Sequence, residues 1–345
     1  MRVAVIANLK WSVALEAGAP PDALAEYDAE ETVTAIRAAL EEAGHETHFL
    51  EANRTLLDSV RWSEPDFCFN IAEGLSGDAR ESHVPALLEM LGIPYTGSRV
   101  LSHALSLDKA AAKQIWRDAG LPTAPFQLFR SDQIPLRTEL RFPLFVKPVR
   151  EGSGMGISAR SVVHDETELR AQVRWVIQTY RQPALVEQYL PGREFTVGFV
   201  GNTLPPGEAP RSNFYNGQGF HLFPVLEIDP HVGAGAGVYN AAAKSFALEA
   251  EGAPRYLCPA EIPTELEEDL GRLAITAFET LDGLDVGRAD FRLGDDGRPY
   301  LMEINTLPGL NPSVSDLCIM AHAEGIPYTQ LINEIFEQAH SRYNL

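Results

Sequence analysis

The chain has 345 residues, of which 45% are hydrophobic and 22% are charged, values that are ordinary for a globular protein of two or three domains. Acidic residues outnumber basic ones by 48 to 28, which gives a formal net charge of −20. Such a surface repels nucleic-acid phosphates and anionic membranes, so we expect neither as a partner. A site for a phosphorylated ligand has to be a local basic pocket inside this acidic exterior.

The cysteines and the N-terminus indicate a soluble, cytoplasmic protein. Cys68, Cys258 and Cys318 are odd in number and widely spaced, so neither a disulfide framework nor a zinc site is expected. The apolar run Val3–Ala7 is too short for a signal peptide or a membrane span.

The first 97 residues alternate between strand and helix patterns. Strands are predicted at Val3–Ala7, His48–Leu50 and Phe67–Asn70, and helices at Asp28–Ala43 and His83–Leu91. This alternation predicts a doubly wound domain with a parallel sheet.

Two further regions, 98–190 and 191–345, mix helices and strands. Helices are predicted at Lys109–Ala119, Glu166–Thr179, Glu265–Leu281 and Tyr328–Arg342, and strands at Phe142–Val146, Ala184–Gln188, Phe195–Val200, Val286–Leu293 and Tyr300–Asn305. After the strand Phe195–Val200, the segment Asn202–Asn240 is rich in Gly and Pro. It has the composition of a functional loop or of a hairpin with flexible ends.

The stretch Arg288–Asn305 has the pattern of a metal-binding hairpin. Alternate side chains of a strand share a face, so Asp290 joins Arg288 on one strand. On the next strand Glu303 joins Asn305, and pairing of the two strands brings the polar faces together. Two carboxylates and an amide oxygen suit Mg²⁺ that is bound partly by substrate phosphates. Taken alone, the pattern fits a charged surface hairpin equally well.

A second pattern places Lys147 at the end of a buried strand, before a loop with Gly152, Gly154 and Gly156. Glycines permit close backbone approach, so successive N–H groups can surround phosphate oxygens while the lysine adds charge. The lysine precedes the glycines, which excludes the P-loop pattern. A glycine-rich hairpin turn is the alternative interpretation.

The remaining signals are weak when each is taken alone. Ala184–Val197 reads as a strand and a turn that carry Glu187. Lys109, Lys113 and Lys244 are isolated lysines, for which a solvated position is the default expectation.

Five stretches in order resemble the sequence blocks of the ATP-grasp superfamily, and specifically those of the D-alanine–D-alanine ligase family. They are Leu88–Ser98, Leu107–Ala119, Lys147–Ser158, Glu187–Val197 and Gly287–Gly309. The resemblance covers nearly the whole chain. It implies an α/β (α+β) ATP-grasp fold, with an N-terminal Rossmann-like domain at 1–97 and two lobes, 98–190 and 191–345, that clasp ATP.

The resemblance also assigns a nucleotide and metal site. Phosphate contacts fall to Lys109, Lys147 and Lys244, the adenine pocket to Glu187, Tyr189 and Leu190, and the ribose to Glu194. Two Mg²⁺ ions, with Mn²⁺ as an alternative, are assigned to Asp290, Glu303 and Asn305.

For the reacting groups, the resemblance implies that Ser153 lies above the reaction centre, that Arg288 stabilises the tetrahedral intermediate and that Glu26 receives the first substrate's ammonium. After Gly309, the hydroxyl that binds the second substrate's carboxylate is that of Ser313 or Ser315. Amino acids are the implied substrates, and a homodimer is the implied assembly.

Several positions depart from the family pattern. Ser245 stands where the family usually has Tyr, the stretch after Gly309 differs, and Asn70–Glu81 replaces a block that usually begins with His-Gly.

The resemblance predicts an ADP-forming carboxylate–amine ligase that joins two amino acids through an acyl phosphate. D-alanyl-D-alanine formation is one version, and a different amino acid or dipeptide pair in specialised metabolism is the alternative. A non-catalytic nucleotide-binding protein is disfavoured because the metal-binding set is complete.

Overall fold

The computed structural model describes residues 1–13, 18–229, 231, 241 and 254–345. Lys244, Ser245 and residues 230 and 232–240 of the segment Asn202–Asn240 lie outside these residues, so the predictions made for them stay predictions.

A three-stranded parallel sheet forms the N-terminal part of the chain. Strand β1 (Arg2–Ala7) lies between β2 (Glu46–Glu51) and β3 (Phe67–Asn70). Helices α1, α2 and α3 follow these three strands in turn and span Glu30–Glu42, Leu56–Ser63 and His83–Leu91. The predicted parallel, doubly wound arrangement is confirmed.

The alternation of side chains along β1 explains why both faces of this sheet are covered. Val3 and Val5 pack in one core cluster with Ile36 of α1. Ala4 and Ile6 pack in another, which also contains residues of α2 and α3. Every residue of β1 after Arg2 is buried, as expected for a central parallel strand.

The central part of the chain forms a four-stranded sheet in the order β4-β7-β5-β6, whose neighbours are antiparallel. Its elements are α4 (Val100–Leu107), α5 (Lys109–Asp118), β4 (Phe126–Phe129), β5 (Leu144–Pro148), β6 (Val162–Val163), α6 (Glu166–Tyr180) and β7 (Ala184–Gln188). Helix α6 packs against β5 through a core that includes Val146 and Val173.

A six-stranded antiparallel sheet forms the last part, with β11-β10-β8-β12-β13 in order and β9 paired to β8. Its elements are β8 (Glu194–Gly201), β9 (Phe220–Leu222), β10 (Leu226–Asp229), β11 (Arg255–Leu257), α7 (Thr264–Glu279), β12 (Val286–Leu293), β13 (Pro299–Asn305), α8 (Asp316–Ala323) and α9 (Tyr328–Arg342). Each of the three sheets is built from its own continuous stretch of the chain. The domain boundaries expected at residues 97 and 190 stay predictions.

The C-terminal helix α9 returns to the N-terminal sheet. Phe336 of α9 lies 4.9 Å, between ring centroids, from Phe67 of β3. Residues of α9 share a core cluster with β1 and α1. The two ends of the chain therefore stabilise one another, a contact that no local sequence pattern predicts.

Among the residues that the structure describes, no helix combines the length and apolar character needed to span a bilayer. Cys68, Cys258 and Cys318 are all free thiols.

Candidate active site

Two neighbouring cavities open between the three sheets. The first cavity, of about 300 Å³, is lined by residues from all three parts of the chain, among them Glu26, Ser153, Arg288, Asn305 and Ser315. The second cavity, of about 70 Å³, is lined by residues that include Lys147, Glu194, Thr196, Asp290 and Arg292. Lys109 and Glu303 line both cavities, so these two residues mark the place where they meet.

The hairpin β12–β13 supplies the acidic side chains between the cavities. The strands pair antiparallel, with Asp290 opposite Glu303 and Arg288 opposite Asn305, and the register shifts after Asp290. Ala289 of β12 is buried in the core behind. Because alternate residues face opposite sides, burial of the apolar residues turns the polar set toward the cavities.

Arg288 is buried and held between two carboxylates. Its Nε and Nη2 lie 3.0 and 2.9 Å from the carboxylate oxygens of Asp290, and its Nη1 lies 3.4 Å from Asp316. Burial acts to lower the pKa of Arg288, but the two carboxylates outweigh it and raise the pKa. The guanidinium is therefore a fixed positive charge at the wall of the first cavity.

The donor set on the hairpin fits a hard divalent cation. Asp290 accepts a hydrogen bond from Thr196 at 3.0 Å, and Glu303 lies 3.3 Å from the Lys109 ammonium. The side-chain nitrogen of Asn305 is buried without a hydrogen-bond partner among the described residues. Among all the residues that the structure describes, no group of three or more His, Cys, Asp or Glu side chains could hold a metal ion. A metal here would depend on the Asn305 amide oxygen and on oxygens of the bound ligand.

Lys113, Glu187 and Lys147 form a buried ion-pair cluster. Lys147 Nζ lies 2.7 Å from Glu187 and Lys113 Nζ lies 3.0 Å from it. Burial acts to raise the pKa of Glu187, but the two lysines outweigh it and lower the pKa. Lys113 is 0% exposed and Lys109 is 6% exposed, so the default expectation of solvated positions is wrong for both.

The residues assigned to adenine and ribose occupy different surroundings. Glu194 lines the second cavity and lies 3.8 Å from Arg292, whose guanidinium is 5.4 Å from the ring centre of Tyr189. Glu187, Tyr189 and Leu190 do not line this cavity. Their assignment to an adenine pocket therefore depends on the family resemblance.

The glycine loop is tied to the N-terminal part of the chain. The Gly152 N–H donates to the Glu26 carboxylate, and the Gly156 N–H donates to Asp22 at 2.8 Å. The Tyr180 hydroxyl also donates to Asp22, at 2.8 Å. In the sequence prediction the loop N–H groups face phosphates, whereas here two of them bind carboxylates. We name this set of contacts the loop latch.

We expect Asp22→Ala to loosen the loop latch, because both the Gly156 N–H and the Tyr180 hydroxyl lose their acceptor. Each lost hydrogen bond is worth about 1 kcal/mol, so the loss of two should make local opening of the loop roughly thirtyfold more frequent. Amide hydrogen exchange across residues 150–158 measures this. Asp58→Ala, on the exposed side of α2, is the matched control. Unchanged exchange in Asp22→Ala would show that Asp22 does not hold the loop.

The far end of the first cavity is built around Arg80. Its guanidinium lies 2.6 Å from Glu26 and 3.1 Å from Glu151, and it donates to the backbone oxygen of Arg150 at 2.8 Å. These contacts fix the Glu26 carboxylate at the cavity wall. The sequence gives no signal for Arg80, since its partners are 54 or more residues away.

The two serines after Gly309 are placed differently. Ser315 lines the first cavity with Gly309, and its hydroxyl accepts from the Asn311 N–H at 2.9 Å. Ser313 is exposed, is not among the lining residues and lies 3.4 Å from Glu31. Of the two alternatives, the geometry favours Ser315.

Several lining residues were not identified from the sequence. Among them are Asp28 and Asp316 in the first cavity and Thr196, Met302 and Met155 in the second, whereas Glu73 of the first cavity lies within the departing block Asn70–Glu81. Asp28 and Glu73 lie in irregular stretches whose side-chain directions follow from no local period.

Comparisons with known proteins identify the family. The family model described as "D-ala D-ala ligase C-terminus" matches residues 115–337. A Sinorhizobium fredii protein described as "Uncharacterized protein y4sG" is 34% identical, over 99% of this chain and 98% of its own. The D-alanine–D-alanine ligase of Aromatoleum aromaticum is also 34% identical, over 88% of this chain and 89% of that enzyme. The corresponding ligase of Bordetella petrii is 33% identical, over 88% of this chain and 85% of that enzyme.

The fold agrees with a solved structure. The crystal structure of the D-alanine–D-alanine ligase from Bacillus anthracis, complexed with ATP, matches with a TM-score of 0.72 at 23% identity. The match covers 100% of this chain and 99% of that one, so all three parts of the fold are included. The chain therefore belongs to the D-alanine–D-alanine ligase family, has its ATP-grasp fold and is an ATP-dependent ligase of that type.

Proposed function

We propose that this protein joins two amino acids in an ADP-forming reaction that passes through an acyl phosphate, with the nucleotide phosphates at the second cavity and the amino acids in the first. The observation that carries the proposal is the meeting of the two cavities at Lys109 and Glu303. A phosphoryl group and a carboxylate held on either side of this point are neighbours.

In the first step, a carboxylate oxygen of one amino acid attacks the γ-phosphorus of ATP. The bond between that phosphorus and the ADP oxygen breaks, and ADP leaves with the electron pair. Lys109 and Lys147 would hold the phosphates, and Lys244 is assigned to the γ-phosphate. Their ammonium groups offset the negative charge on the transferring group.

Asp290, Glu303 and Asn305 would hold Mg²⁺, since their oxygens suit a hard cation; Asp290 lines the second cavity, Asn305 lines the first and Glu303 lines both. The ion, when bound, supplies positive charge to the phosphate oxygens. The chain's own contribution is to fix these donors on paired strands.

In the second step, the amine of the other amino acid attacks the acyl carbon, the carbon–oxygen bond to phosphate breaks, and the amine loses a proton. Arg288 would stabilise the negative oxygen of the tetrahedral intermediate, because its guanidinium is fixed at the cavity wall. Glu26 would receive the ammonium of the first amino acid, and the Ser315 hydroxyl would bind the carboxylate of the second.

Water must be kept from the acyl phosphate, since hydrolysis would waste it. The loop latch closes one side of the first cavity, where Ser153 of the loop lies with Glu26. The described part of Asn202–Asn240 is not a second lid, because it contains β9 and β10 of the six-stranded sheet.

Purified protein with ATP and Mg²⁺ should form ADP when given the correct pair of amino acids, and the product mass should equal the sum of the two less one water. The measurement uses D- and L-amino acids, singly and in pairs, with phosphate release as the readout. ADP formation that depends on no amino acid pair would contradict the proposal.

The alternative of a pair other than two D-alanines is favoured by one observation. Glu73, Glu81 and Asp28 line the first cavity and give it more carboxyl groups than small neutral substrates require. A cytoplasmic homodimer is also proposed, and size-exclusion chromatography with light scattering would measure its mass.

A further inference from the structure

The end of the first cavity beneath the N-terminal sheet is crowded with carboxylates. Glu26, Asp28, Glu73 and Glu81 all line it, and we name this region the acidic end. Hydrogen bonds on either side of Glu73 fix its backbone. The Gly74 N–H donates to the side-chain oxygen of Asn8 at 2.8 Å, and the Ala72 N–H donates to the side-chain oxygen of Asn70 at 3.2 Å.

Of the cations at the acidic end, Arg80 is engaged by carboxylates, whereas Lys10 lines the first cavity and acts to lower the pKa of Asp28. Arg80 pairs with Glu26 and Glu151, as described above. Among the described residues, no Lys, Arg or His nitrogen lies within 4 Å of the Glu73 carboxylate, which faces the cavity. His103 lies 3.8 Å from Glu81, but burial lowers the pKa of His103 to about 4, so its ring is neutral at pH 7.

The carboxyl groups respond to this crowding. Burial, followed by the neighbouring carboxylates, raises the pKa of Glu73 well above its usual range. Burial is also the main cause that raises the pKa of Glu81 and of Asp28 to about 7. The ligand-free site therefore favours the protonated carboxyl groups, and a cation bound beside them would lower these pKa values and favour the ionised form.

We propose that the acidic end binds the side chain of a substrate amino acid that carries a second positive charge, such as a basic or diamino acid. The inference rests on the proposed ligase function, because it names the substrate class of the same cavity. Glu26 receives the α-ammonium, and Glu73 with Glu81 and Asp28 receives the side-chain cation.

The test compares amino acids of matched length in the full-length protein with ATP and Mg²⁺. Lysine and norleucine of each hand are paired with neutral partners, and ADP formation is measured. A charged hydrogen bond in an enclosed site contributes about 1.5–3 kcal/mol, so kcat/KM should favour lysine at least tenfold. Equal use of norleucine would overturn the inference while leaving the ligase function in place. No ADP with any pair would instead overturn the proposed function.

Two variants test the residues. Glu73→Gln and Glu81→Gln should each raise KM for the cationic substrate about tenfold and reduce its preference over norleucine. Glu30→Gln, at the exposed start of α1, is the control and should keep the wild-type preference. An unchanged preference in both cavity variants would overturn the inference.

A readout without turnover separates binding from catalysis. Lysine added without ATP should raise the Tm of the wild-type protein and should raise that of Glu73→Gln less. Glu73→Gln should also be more stable than wild type at pH 8 without ligand, because burial, and then Glu81, Glu26 and Asp28, oppose the charge of Glu73 more than Arg80 favours it. The folded-state pKa is raised, so this gain should vanish below about pH 4, where the carboxyl is protonated in both states. Lysine that fails to raise the wild-type Tm would overturn the inference.

Discussion

Glu303→Gln is expected to lower kcat by about a hundredfold or more while the fold is retained. Glu303 lines both cavities, stands opposite Asp290 on the paired strand and lies 3.3 Å from Lys109. Glutamine keeps the shape of the side chain but removes the negative charge that a divalent cation requires. The defect should therefore appear in turnover and in the dependence on Mg²⁺ concentration.

The comparison variant for Glu303→Gln is Asp295→Asn, which removes a carboxylate from the exposed turn of the same hairpin. It should keep the wild-type kcat. Circular dichroism and Tm should agree for the wild type and both variants, because Glu303 is not part of the apolar core. Near-normal turnover in Glu303→Gln would mean that the metal site has been misplaced.

Local periodicity accounts for what the sequence predicted correctly. Alternation along the predicted strands Val286–Leu293 and Tyr300–Asn305 placed Asp290 and Glu303 on one polar face, and the paired strands have that geometry. The apolar period of the helix that begins near Glu30 likewise identified α1. These features depend on neighbours along the chain, which a sequence displays directly.

Short helices without start signals were missed. Helices α4 and α8 have eight residues each, and neither has a side-chain hydrogen bond at its N-cap. The N-cap of α4 is Arg99, and at α8 the Ser315 hydroxyl accepts from the Asn311 N–H instead of from the helix, so tertiary packing decides both conformations. Helix α5 differs, because Asp108 caps it by accepting from the Ala111 N–H at 3.0 Å.

The acidic end and the loop latch were beyond sequence reasoning for a different reason. Asp22 meets Gly156 across 134 positions, and Arg80 meets Glu151 across 71. Lys113 was expected in solvent, yet it is buried because Glu187 faces it from β7. Such pairs form only when the three sheets assemble, so residue type and spacing carry no record of them.

Glu187→Gln is expected to destabilise the protein strongly, because two buried lysines then lose their shared counterion. Lys113 and Lys147 are 0% and 4% exposed, and Glu187 lies within 3.0 Å of both ammonium groups. Removing one partner of a buried ion pair costs about 3–5 kcal/mol, so the free energy of unfolding should fall by roughly that amount. Urea denaturation at pH 7 measures the change.

The pH dependence of Glu187→Gln tests the cause of that loss. Without the carboxylate, burial and mutual repulsion should lower the pKa of both lysines in the folded state below the unfolded value of about 10.4. At pH values between the lowered folded-state pKa and the unfolded-state pKa, the unfolded state binds more protons than the folded state. The stability of the variant should therefore rise as the pH increases from 7 to 9. Wild type should show a smaller rise, since Glu187 keeps the pKa of Lys147 raised although burial opposes it. Glu267→Gln, on the exposed side of α7, should match wild type at every pH. A loss below about 1 kcal/mol, or one that does not change with pH, would show that Glu187 is not the counterion that stabilises the lysines.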